Sequence, residues 1–386
     1  MGGLSVLGFL INNTTEAVTQ VKIRITLHIS SEVTPIWKGI DLPYKHVRPS
    51  EKVPFLIHFP DTLLPESVVL EVINFQISGY EDAQLEVQFT GRTFTPEGEH
   101  LLLGWITNPD NHPTQIHHFH LLVGYSADEP AAMVAASIYP SSILPHQRAP
   151  FLIKLDEDQE QETGSFYPFL DATALSDLVE PSFSFPQYPE AILDPQGNLL
   201  IRGIIQNPDK ISRWASASVV LLYQDQILSL ALLNPPSPLG PGESRAFGLT
   251  DFPGWKTRLD ELNGQLEDFY VEVFYDPLGC LEFKGQILPL AIEVTGFEST
   301  GSTLFIKGIT TNPSSHLLSL PAIRAEIRTT NGKLQTSNWT ILDETLAQGQ
   351  SKDFLLAIRL PKGLKLSEME IDLTGTAILE KSDLPF

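Results

Sequence analysis

A short phrase that occurs four times dominates the organisation of this 386-residue chain. In each copy a glycine is followed four positions later by an asparagine, and in three copies the asparagine precedes a proline. The copies are Gly8–Asn12, Gly104–Asn108, Gly203–Asn207 and Gly308–Asn312. Their glycines are 96, 99 and 105 residues apart. This spacing is typical of small β-sandwich domains and exceeds that of solenoid repeats.

A second landmark follows each glycine at a similar distance: a turn rich in Pro, Gly and polar residues, and then a phenylalanine that begins an apolar run. These phenylalanines are Phe55, Phe151, Phe247 and Phe354. Between the two landmarks, apolar and polar residues alternate with period two, as they do over residues 21–28, which predicts half-buried strands.

Helical patterns are limited to Ala172–Leu178 and Trp255–Leu262, and 30 prolines interrupt longer ones. The Asn-Pro step is typical of a turn that ends a strand, because Asn caps the turn through its side chain and Pro does not continue a ladder. The sequence therefore predicts an all-β fold, a tandem array of four immunoglobulin/fibronectin-like antiparallel β-sandwich domains.

We place the repeats at residues 1–82, 83–178, 179–289 and 290–386. A strand-like segment precedes the glycine phrase in the last three repeats, whereas in the first the phrase follows the start of the chain directly. Two interpretations of this missing leading strand stay open. The chain was cut from a longer precursor, or a neighbouring molecule supplies the strand by β-augmentation.

The third repeat adds Leu222-Tyr223-Gln224-Asp225 at a strand end and Pro241-Gly242-Glu243-Ser244 before Phe247. In this order the residues resemble the FxLYD-type repeats of secreted bacterial proteins. The Asn-Pro step is also similar to the water-stress and late-embryogenesis-abundant type 2 module. Both resemblances imply an immunoglobulin- or fibronectin-like sandwich without a catalytic site. The first repeat departs from the pattern with Asn13 in place of the proline, and the fourth with Thr329-Thr330-Asn331-Gly332 in place of Leu-Tyr-Gln-Asp.

The chain carries 25 Lys and Arg against 47 Asp and Glu, a formal net charge of −22. Such acidity repels phosphate backbones and anionic membrane surfaces, so nucleic-acid binding is excluded as a main activity. No apolar run is long enough to span a membrane. A single cysteine, Cys280, in a turn, forms no internal disulfide.

Few residues are candidates for chemistry, and we expect no catalytic residues, no cofactor and no enzymatic activity. His118 and His120 share one strand face and could donate two imidazoles to a metal, but alignment with the first repeat favours a solvated sheet face. Trp37, Trp214 and Trp339 are placed in or near loops, as contacts to a partner protein or a glycan. The acidic run 156–162 is interpreted as a solvated loop, with calcium binding as the alternative.

These observations predict a non-enzymatic, extracytoplasmic scaffold, spacer or protein-interaction arm at the cell surface, with any signal or anchor encoded upstream of this chain. The partners expected are proteins or further copies of the chain. Two alternatives remain: a carbohydrate- or peptide-binding module, and an accessory subunit of a larger membrane-associated or filamentous assembly.

Overall fold

The structure is a computed structural model that describes residues 3–30, 33–136, 138–155, 165–265, 268–364, 367 and 369–379. Antiparallel strands, packed as sandwiches, make up nearly all of the regular structure, which confirms the expected all-β fold class. No helix within these residues is long and apolar enough to cross a membrane. The chain divides into two compact units, Met1–Leu178 and Val179–Phe386, and each holds two of the repeats.

The first repeat contains two small sheets. Its strands are β1 (Leu4–Ile11), β2 (Val18–His28), β3 (Ile36–Asp41), β4 (Lys52–Phe59) and β5 (Ser67–Ile77). β1 pairs with β4, and the second sheet has the order β3-β2-β5. The alternating residues of β2 bury Ile23, Ile25 and Leu27 between the sheets, where they meet Phe55 of β4.

The second repeat has a fuller complement of strands. They are β6 (Glu81–Asp82), β7 (Glu86–Phe94), β8 (His100–Thr107), β9 (Thr114–Ser126), β10 (Glu129–Ala136), β11 (Ser142–Ile143), β12 (Arg148–Leu155) and β13 (Ser165–Ala174). β6 precedes residue 83, the expected start of this repeat, and is assigned to it because it pairs with β13. One sheet has the order β12-β8-β7, and the other β10-β9-β13-β6 with β11 beside β9. Phe119, Leu121 and Phe151 lie in the core between them.

The third repeat repeats this plan and adds a helix. Its elements are β14 (Ser184–Leu193), β15 (Leu199–Gln206), β16 (Ala217–Tyr223), β17 (Gln226–Leu233), β18 (Ser244–Leu249), α1 (Trp255–Glu261) and β19 (Tyr270–Tyr275). The sheets have the orders β14-β15-β18 and β17-β16-β19. α1 confirms the helix expected at Trp255–Leu262, and Leu259 fixes it to the core.

The fourth repeat joins its two sheets through one long strand. Its strands are β20 (Gln286–Thr300), β21 (Thr303–Thr311), β22 (Ser319–Thr329), β23 (Leu334–Ile341), β24 (Ser351–Arg359) and β25 (Met369–Leu379). The first five residues of β20 pair with β25, and the remainder pairs with β21, so β20 closes one side of the sandwich. The fourth repeat thus begins at Gln286, four residues before the expected boundary at 290.

The helix expected at Ala172–Leu178 is wrong. The segment begins inside β13, where Thr173 and Ala174 lie opposite Gln115 and Thr114 of β9, and it leaves the sheet as a loop. Pairing with a long central strand outweighs the weak local helical pattern. The acidic run 156–162 lies outside the described residues.

The two sequence landmarks of each repeat are cross-strand partners. The glycine of β1, β8, β15 or β21 lies directly opposite the phenylalanine of the neighbouring strand, in the pairs Gly8–Phe55, Gly104–Phe151, Gly203–Phe247 and Gly308–Phe354. The phenylalanine ring lies over the glycine, where a Cβ atom would stand. Because the ring needs this space, the motif is explained by packing.

The repeated asparagine ends the same strand with a buried amide. Asn312 donates from Nδ2 to the carbonyl oxygens of His316 and Leu346, both at 2.8 Å, and its Oδ1 accepts from the amide of Ser314 at 2.9 Å. Corresponding bonds are made by Asn12, Asn108 and Asn207. Each asparagine thus ties together the loops at one end of its sandwich, as expected for a turn residue.

Candidate functional site

A group of histidine and aromatic side chains lies where the two repeats of the first unit meet. β9 of the second repeat presents His118 and His120, whose rings are stacked with centroids 6.0 Å apart. The ring of Tyr44, from the loop before β4, meets them edge-on at 6.2 and 5.9 Å. Phe169 of β13 closes the group 5.2 Å from Tyr44.

This packing makes the solvated face expected for His120 wrong. The side chain is only 8% exposed, because the first repeat covers this part of the sheet. Neither ring nitrogen of His120 has a hydrogen-bond partner. Burial, and then the charge of His118, lower the pKa of His120 to about 4. The ring is therefore neutral near pH 7, and it packs as an aromatic group.

A carboxylate beside this aromatic group joins the two repeats through the backbone. Asp171 of β13 is 2% exposed and accepts the amide protons of Lys45 at 2.9 Å and His46 at 3.2 Å. Both acceptor bonds cross from the second repeat to the first. A buried carboxylate satisfied by backbone amides stabilises one orientation of the two elements it joins.

A second polar link runs through the segment between the repeats. His46 lies 2.7 Å through Nε2 from Oδ1 of Asp82, and 2.9 Å through Nδ1 from Ser78. Arg48 donates from Nε to the same Asp82 oxygen at 2.8 Å and also contacts the carbonyl of Ala83. Burial acts to raise the pKa of Asp82, but the hydrogen bonds from Arg48 and His46 outweigh it and lower that pKa.

The histidines at this junction were also candidates for metal ligation. Among the residues that the structure describes, no group of three or more His, Cys, Asp or Glu side chains is placed to hold one metal ion. Metal binding by His118 and His120 therefore stays a prediction that lacks a third ligand in the described part of the chain. The third histidine of this strand, His117, lies 2.9 Å through Nε2 from Thr173 of β13.

The second unit has a junction of its own between the third and fourth repeats. Gly248 of β18 lies so close to β23 that a Cβ atom there would overlap the backbone oxygen of Ser337. On the same strand, Ala246 donates its amide to Glu326 at 3.4 Å and accepts from Oγ of Ser337 at 3.3 Å. Arg202, 4% exposed, donates to the carbonyl of Gln335 at 2.9 Å.

The tryptophans proposed as contact residues occupy three different environments. Trp37 lies within β3, is 64% exposed, and has the guanidinium of Arg24 at 5.4 Å from its ring centroid. Trp214 packs against Phe283 at 5.9 Å. Trp339 lies within β23 and packs on the core of the third repeat, so it belongs to the junction of the second unit. Trp37 and Trp339 therefore project from strands, each within two residues of a strand end.

The third repeat also contains a buried thiol and an apolar cleft. Cys280 ends a short turn of 3-10 helix and is 2% exposed, and burial raises its pKa to about 12. An open apolar cleft of about 550 Å³ lies between β14 and β19 and is lined by residues such as Leu193, Phe269 and Val271. The lining is mainly apolar, and the hydroxyl of Tyr270, which also lines the cleft, donates to Asp225 at 2.9 Å.

The sequence analysis did not predict either junction between repeats. The junction of the second unit nevertheless has a signal in the sequence, at Gly248. Gly248 follows the phenylalanine landmark at a position where the other three repeats carry leucine, namely Leu56, Leu152 and Leu355. A glycine that replaces a repeated leucine indicates close approach of another backbone. Asp171 gave no comparable signal, because its partners are backbone amides more than 120 positions away.

Comparisons with known proteins place no family name on the chain. No family model matches the sequence, and no curated protein matches it. One solved structure that aligns is the native conformation of E. coli alpha-2-macroglobulin, at 10% identity and a TM-score of 0.16. That alignment covers 93% of this chain but only 26% of the macroglobulin chain.

Proposed function

We propose that this chain is a non-enzymatic scaffold or protein-interaction arm, built from β-sandwich repeats, and that within each unit the junction holds its two repeats in a fixed orientation. The observation that carries the proposal is the construction of these junctions. In the first unit Asp171 is buried and accepts backbone amides of the preceding repeat. In the second unit the absence of a side chain at Gly248 allows the backbone of β23 to pack directly against β18.

Fixed junctions are what a spacer requires. Two repeats on a flexible linker would change their separation continually, since interfaces within a chain are commonly small and polar. Here the contacts are buried: Glu326 is 8% exposed, accepts the amide of Ala246, and is 2.7 Å from Nη2 of Arg328. Removing a partner from such a network leaves a buried charge unsatisfied, which favours a single arrangement.

The extracytoplasmic setting is part of this proposal and has a different support. It rests on the resemblance of the repeats to those of secreted bacterial proteins. Four sandwiches with one cysteine depend on packed cores, which tolerate either redox environment. Fractionation of the native host, with antibodies raised against the second unit, tests this setting directly. Recovery from the cytoplasmic fraction alone contradicts it.

Distance measurement between spin labels tests the rigidity of a junction. Lys210→Cys and Gln348→Cys place labels in the third and fourth repeats at exposed positions, in a Cys280→Ser background. We expect a narrow distance distribution for this parent. Gly248→Ala should broaden or shift it, because the added Cβ displaces β23. Ser337→Ala provides a milder change at the same contact.

A matched glycine serves as the control. Gly240 lies just before β18, and a Cβ atom there meets no atom closer than 3.5 Å. Gly240→Ala should therefore leave the distribution unchanged. A broad distribution in the parent, or equal effects of the two alanine variants, contradicts the proposal that the junction is fixed.

A glycan-binding role is a second candidate, and one observation favours it. Trp37 is 64% exposed on a strand, and the guanidinium of Arg24 lies 5.4 Å from its ring centroid. An exposed indole ring of this kind is a surface on which sugar rings stack. A glycan array probed with the full chain and with Trp37→Ala tests it. Hits that disappear in the variant support the role, and an array without hits removes it.

A further inference from the structure

The junction between the first two repeats buries a histidine on the outer face of the second sandwich. On β9, Phe119 and Leu121 pack in the core of the second repeat, so His120 between them projects from the opposite face of the strand. Tyr44, from the loop before β4, and Phe169 of β13 lie against its ring, with centroids 5.9 and 6.4 Å away. The first repeat thus completes the burial of His120.

The two ring nitrogens of His120 are buried without a hydrogen-bond partner among the described residues. As a neutral imidazole the side chain packs as an aromatic ring, but an imidazolium carries a charge and two N–H donors that need partners. Water supplies those partners once the first repeat no longer covers the ring. Protonation of His120 therefore favours a separated junction over a closed one.

The groups that face His120 from its own strand and from the first repeat do not favour its charged form. His118 stacks against it with centroids 6.0 Å apart, and a positive charge there opposes a second one. The loop of the first repeat presents Tyr44, whose pKa is raised by burial, so that its phenol stays neutral. The next residue, Lys45, adds a positive charge that acts on the neighbouring His117.

The two strands that flank β9 do not supply a counter-ion either. β10 places Ala135 opposite His120, and β13 places Phe169 there. Two residues beyond Phe169, the carboxylate of Asp171 is already engaged, because it accepts two backbone amides of the first repeat. A proton on His120 is thus poorly compensated from every side while the junction is closed.

We propose that the junction between the first and second repeats is an acid-sensitive hinge. When His120 takes up a proton, the first repeat separates from this face of β9, and both sandwiches stay folded. The inference rests on the fixed junction proposed above for the first unit, and it adds the condition under which that junction opens.

The cores of the two repeats lie outside this contact. Phe119 and Leu121 pack with Phe151 inside the second sandwich, on the other face of β9. Opening uncovers Phe169 and one side of Tyr44, which is far less apolar surface than either core contains. Local separation therefore requires less free energy than unfolding of a repeat.

The polar link at Asp82 provides a pivot that acid does not break. His46 and Arg48 meet Oδ1 of Asp82 at 2.7 and 2.8 Å. Burial acts to raise the pKa of Asp82, but these hydrogen bonds outweigh it and lower that pKa, so the carboxylate stays ionised in mild acid. A charge on His46 strengthens this pair, whereas a charge on His120 weakens the contact at β9.

The pH range of the opening follows from His120. Burial, and then the charge of His118, lower its pKa to about 4 in the closed junction, against about 6.5 for an exposed imidazole. The closed junction is therefore fully stable above pH 6.5 and loses stability as the pH falls toward 4. This difference in pKa allows protonation to shift the equilibrium toward the open form by up to about 300-fold.

Spin labels in the two repeats measure the opening. Leu64→Cys and Glu97→Cys place labels at exposed loop positions of the first and second repeats, in the full chain with Cys280→Ser. We expect a narrow distance distribution at pH 7, a broader or longer one at pH 4, and a midpoint between these values in a pH series. The far-ultraviolet circular dichroism of the same samples should not change.

His120→Phe shows which group drives the opening. Phenylalanine keeps the aromatic packing and takes up no proton, so this variant should keep the narrow distribution at pH 4. His112→Gln, at an exposed position of the same repeat, should open as the parent does. Opening of His120→Phe at pH 4 to the extent of the parent overturns the proposal.

A second histidine of β9 provides a closer control. Burial lowers the pKa of His117 as well, but its Nε2 lies 2.9 Å from Thr173 within the second repeat. His117→Gln should therefore leave the midpoint within about 0.3 pH units of that of the parent. Loss of the opening in this variant would assign the response to His117 and overturn the proposal.

Asp171→Asn gives a test in which His120 remains. The asparagine retains one oxygen for the amides of Lys45 and His46 but loses the charge, so the closed junction is weaker. A weaker junction opens with less acid, and the midpoint should rise by about one pH unit. A midpoint at or below that of the parent contradicts the hinge.

The distance measurement separates the hinge from the fixed junction on which it rests. A distribution that stays narrow at pH 4 overturns the hinge and leaves the fixed junction standing. A distribution that is already broad at pH 7 contradicts the fixed junction, and the hinge with it. Broadening at pH 4 together with loss of the β signal in circular dichroism identifies acid unfolding of the sandwiches, which also overturns the proposal.

Discussion

Phe354 lies over Gly308 so closely that a Cβ atom at position 308 would be 2.5 Å from Cζ of the ring and 2.5 Å from the carbonyl oxygen of Glu293. The ring is 5% exposed and belongs to the core of the fourth repeat. One residue without a side chain thus allows both the core and the leading strand to close.

Gly308→Ala should therefore destabilise the second unit by about 2–4 kcal/mol, because the backbone of β20 and a core ring must both move. Chemical denaturation followed by circular dichroism measures the loss. Gly296→Ala is the matched control in the same repeat, since no atom lies within 4 Å of a Cβ there, and it should change stability by less than about 0.5 kcal/mol. Comparable losses would show that the ring does not set the requirement for glycine.

The buried asparagine of the repeat leads to a prediction about pH. Asn207 donates its amide protons to the carbonyl oxygens of Ile211 at 2.8 Å and Leu239 at 2.9 Å. In Asn207→Asp a carboxylate oxygen would face these carbonyls, so the folded state favours the protonated acid and raises its pKa above the unfolded value of about 3.9.

A raised folded pKa means that Asn207→Asp keeps its stability below about pH 4 and loses it as the pH rises through the folded pKa. At pH 7 we expect a loss of about 2–4 kcal/mol. Denaturation at a series of pH values measures it. Asn234→Asp, at an exposed position of the same repeat, should show no such dependence. A flat profile for Asn207→Asp would exclude the carbonyl contacts as the cause.

His120 makes the first unit sensitive to acid. Burial and the charge of His118 lower its pKa to about 4, and Tyr44, Phe169 and His118 surround the ring. A histidine whose folded pKa lies below its unfolded value of about 6.5 contributes stability that is complete above pH 6.5 and falls as the pH drops toward 4.

His120→Phe should flatten this part of the stability profile and raise stability, since two unsatisfied ring nitrogens are removed. Thermal unfolding of the first unit between pH 7 and pH 4 provides the measurement. His112→Gln, at an exposed position of the same repeat, should leave the profile of the parent unchanged. If His120→Phe retains the full acid sensitivity, another group such as His117, whose pKa is also lowered by burial, accounts for it.

The fold could be predicted from the sequence because each repeat contains the residues that determine its own sandwich. Glycine, asparagine and phenylalanine at fixed spacing, together with the alternation over residues 21–28, specify a sandwich through contacts within about 50 residues. Where one position breaks the repeat, as at Gly248, the deviation itself identifies the contact.

What the sequence did not reveal are contacts between repeats. His120 aligns with Arg24 of the first repeat, which favoured an exposed position, yet the neighbouring repeat buries it. The same applies to Trp339, which completes the core of another repeat. Such contacts depend on the relative orientation of two sandwiches, and no local pattern of period two encodes that orientation.

The single cysteine provides a reporter for the second unit. Cys280 is 2% exposed, and its Sγ lies 3.4 Å from the amide nitrogen of Ser216. Burial raises its pKa to about 12. Because the thiolate is the reactive species, the folded protein should react with iodoacetamide at pH 8 only after the second unit opens. Labelling should thus follow the denaturation curve of that unit.

The raised pKa of Cys280 also makes the stability of the second unit depend on pH under alkaline conditions. A thiol whose folded pKa is raised contributes stability that is complete below its unfolded pKa of about 8.5 and declines as the pH rises toward 12. Cys280→Ser should reduce this alkaline loss.

Ser299→Cys in the Cys280→Ser background, at an exposed position, should label at once and so show that the reagent is active. Rapid labelling of Cys280 in the native protein would contradict its burial.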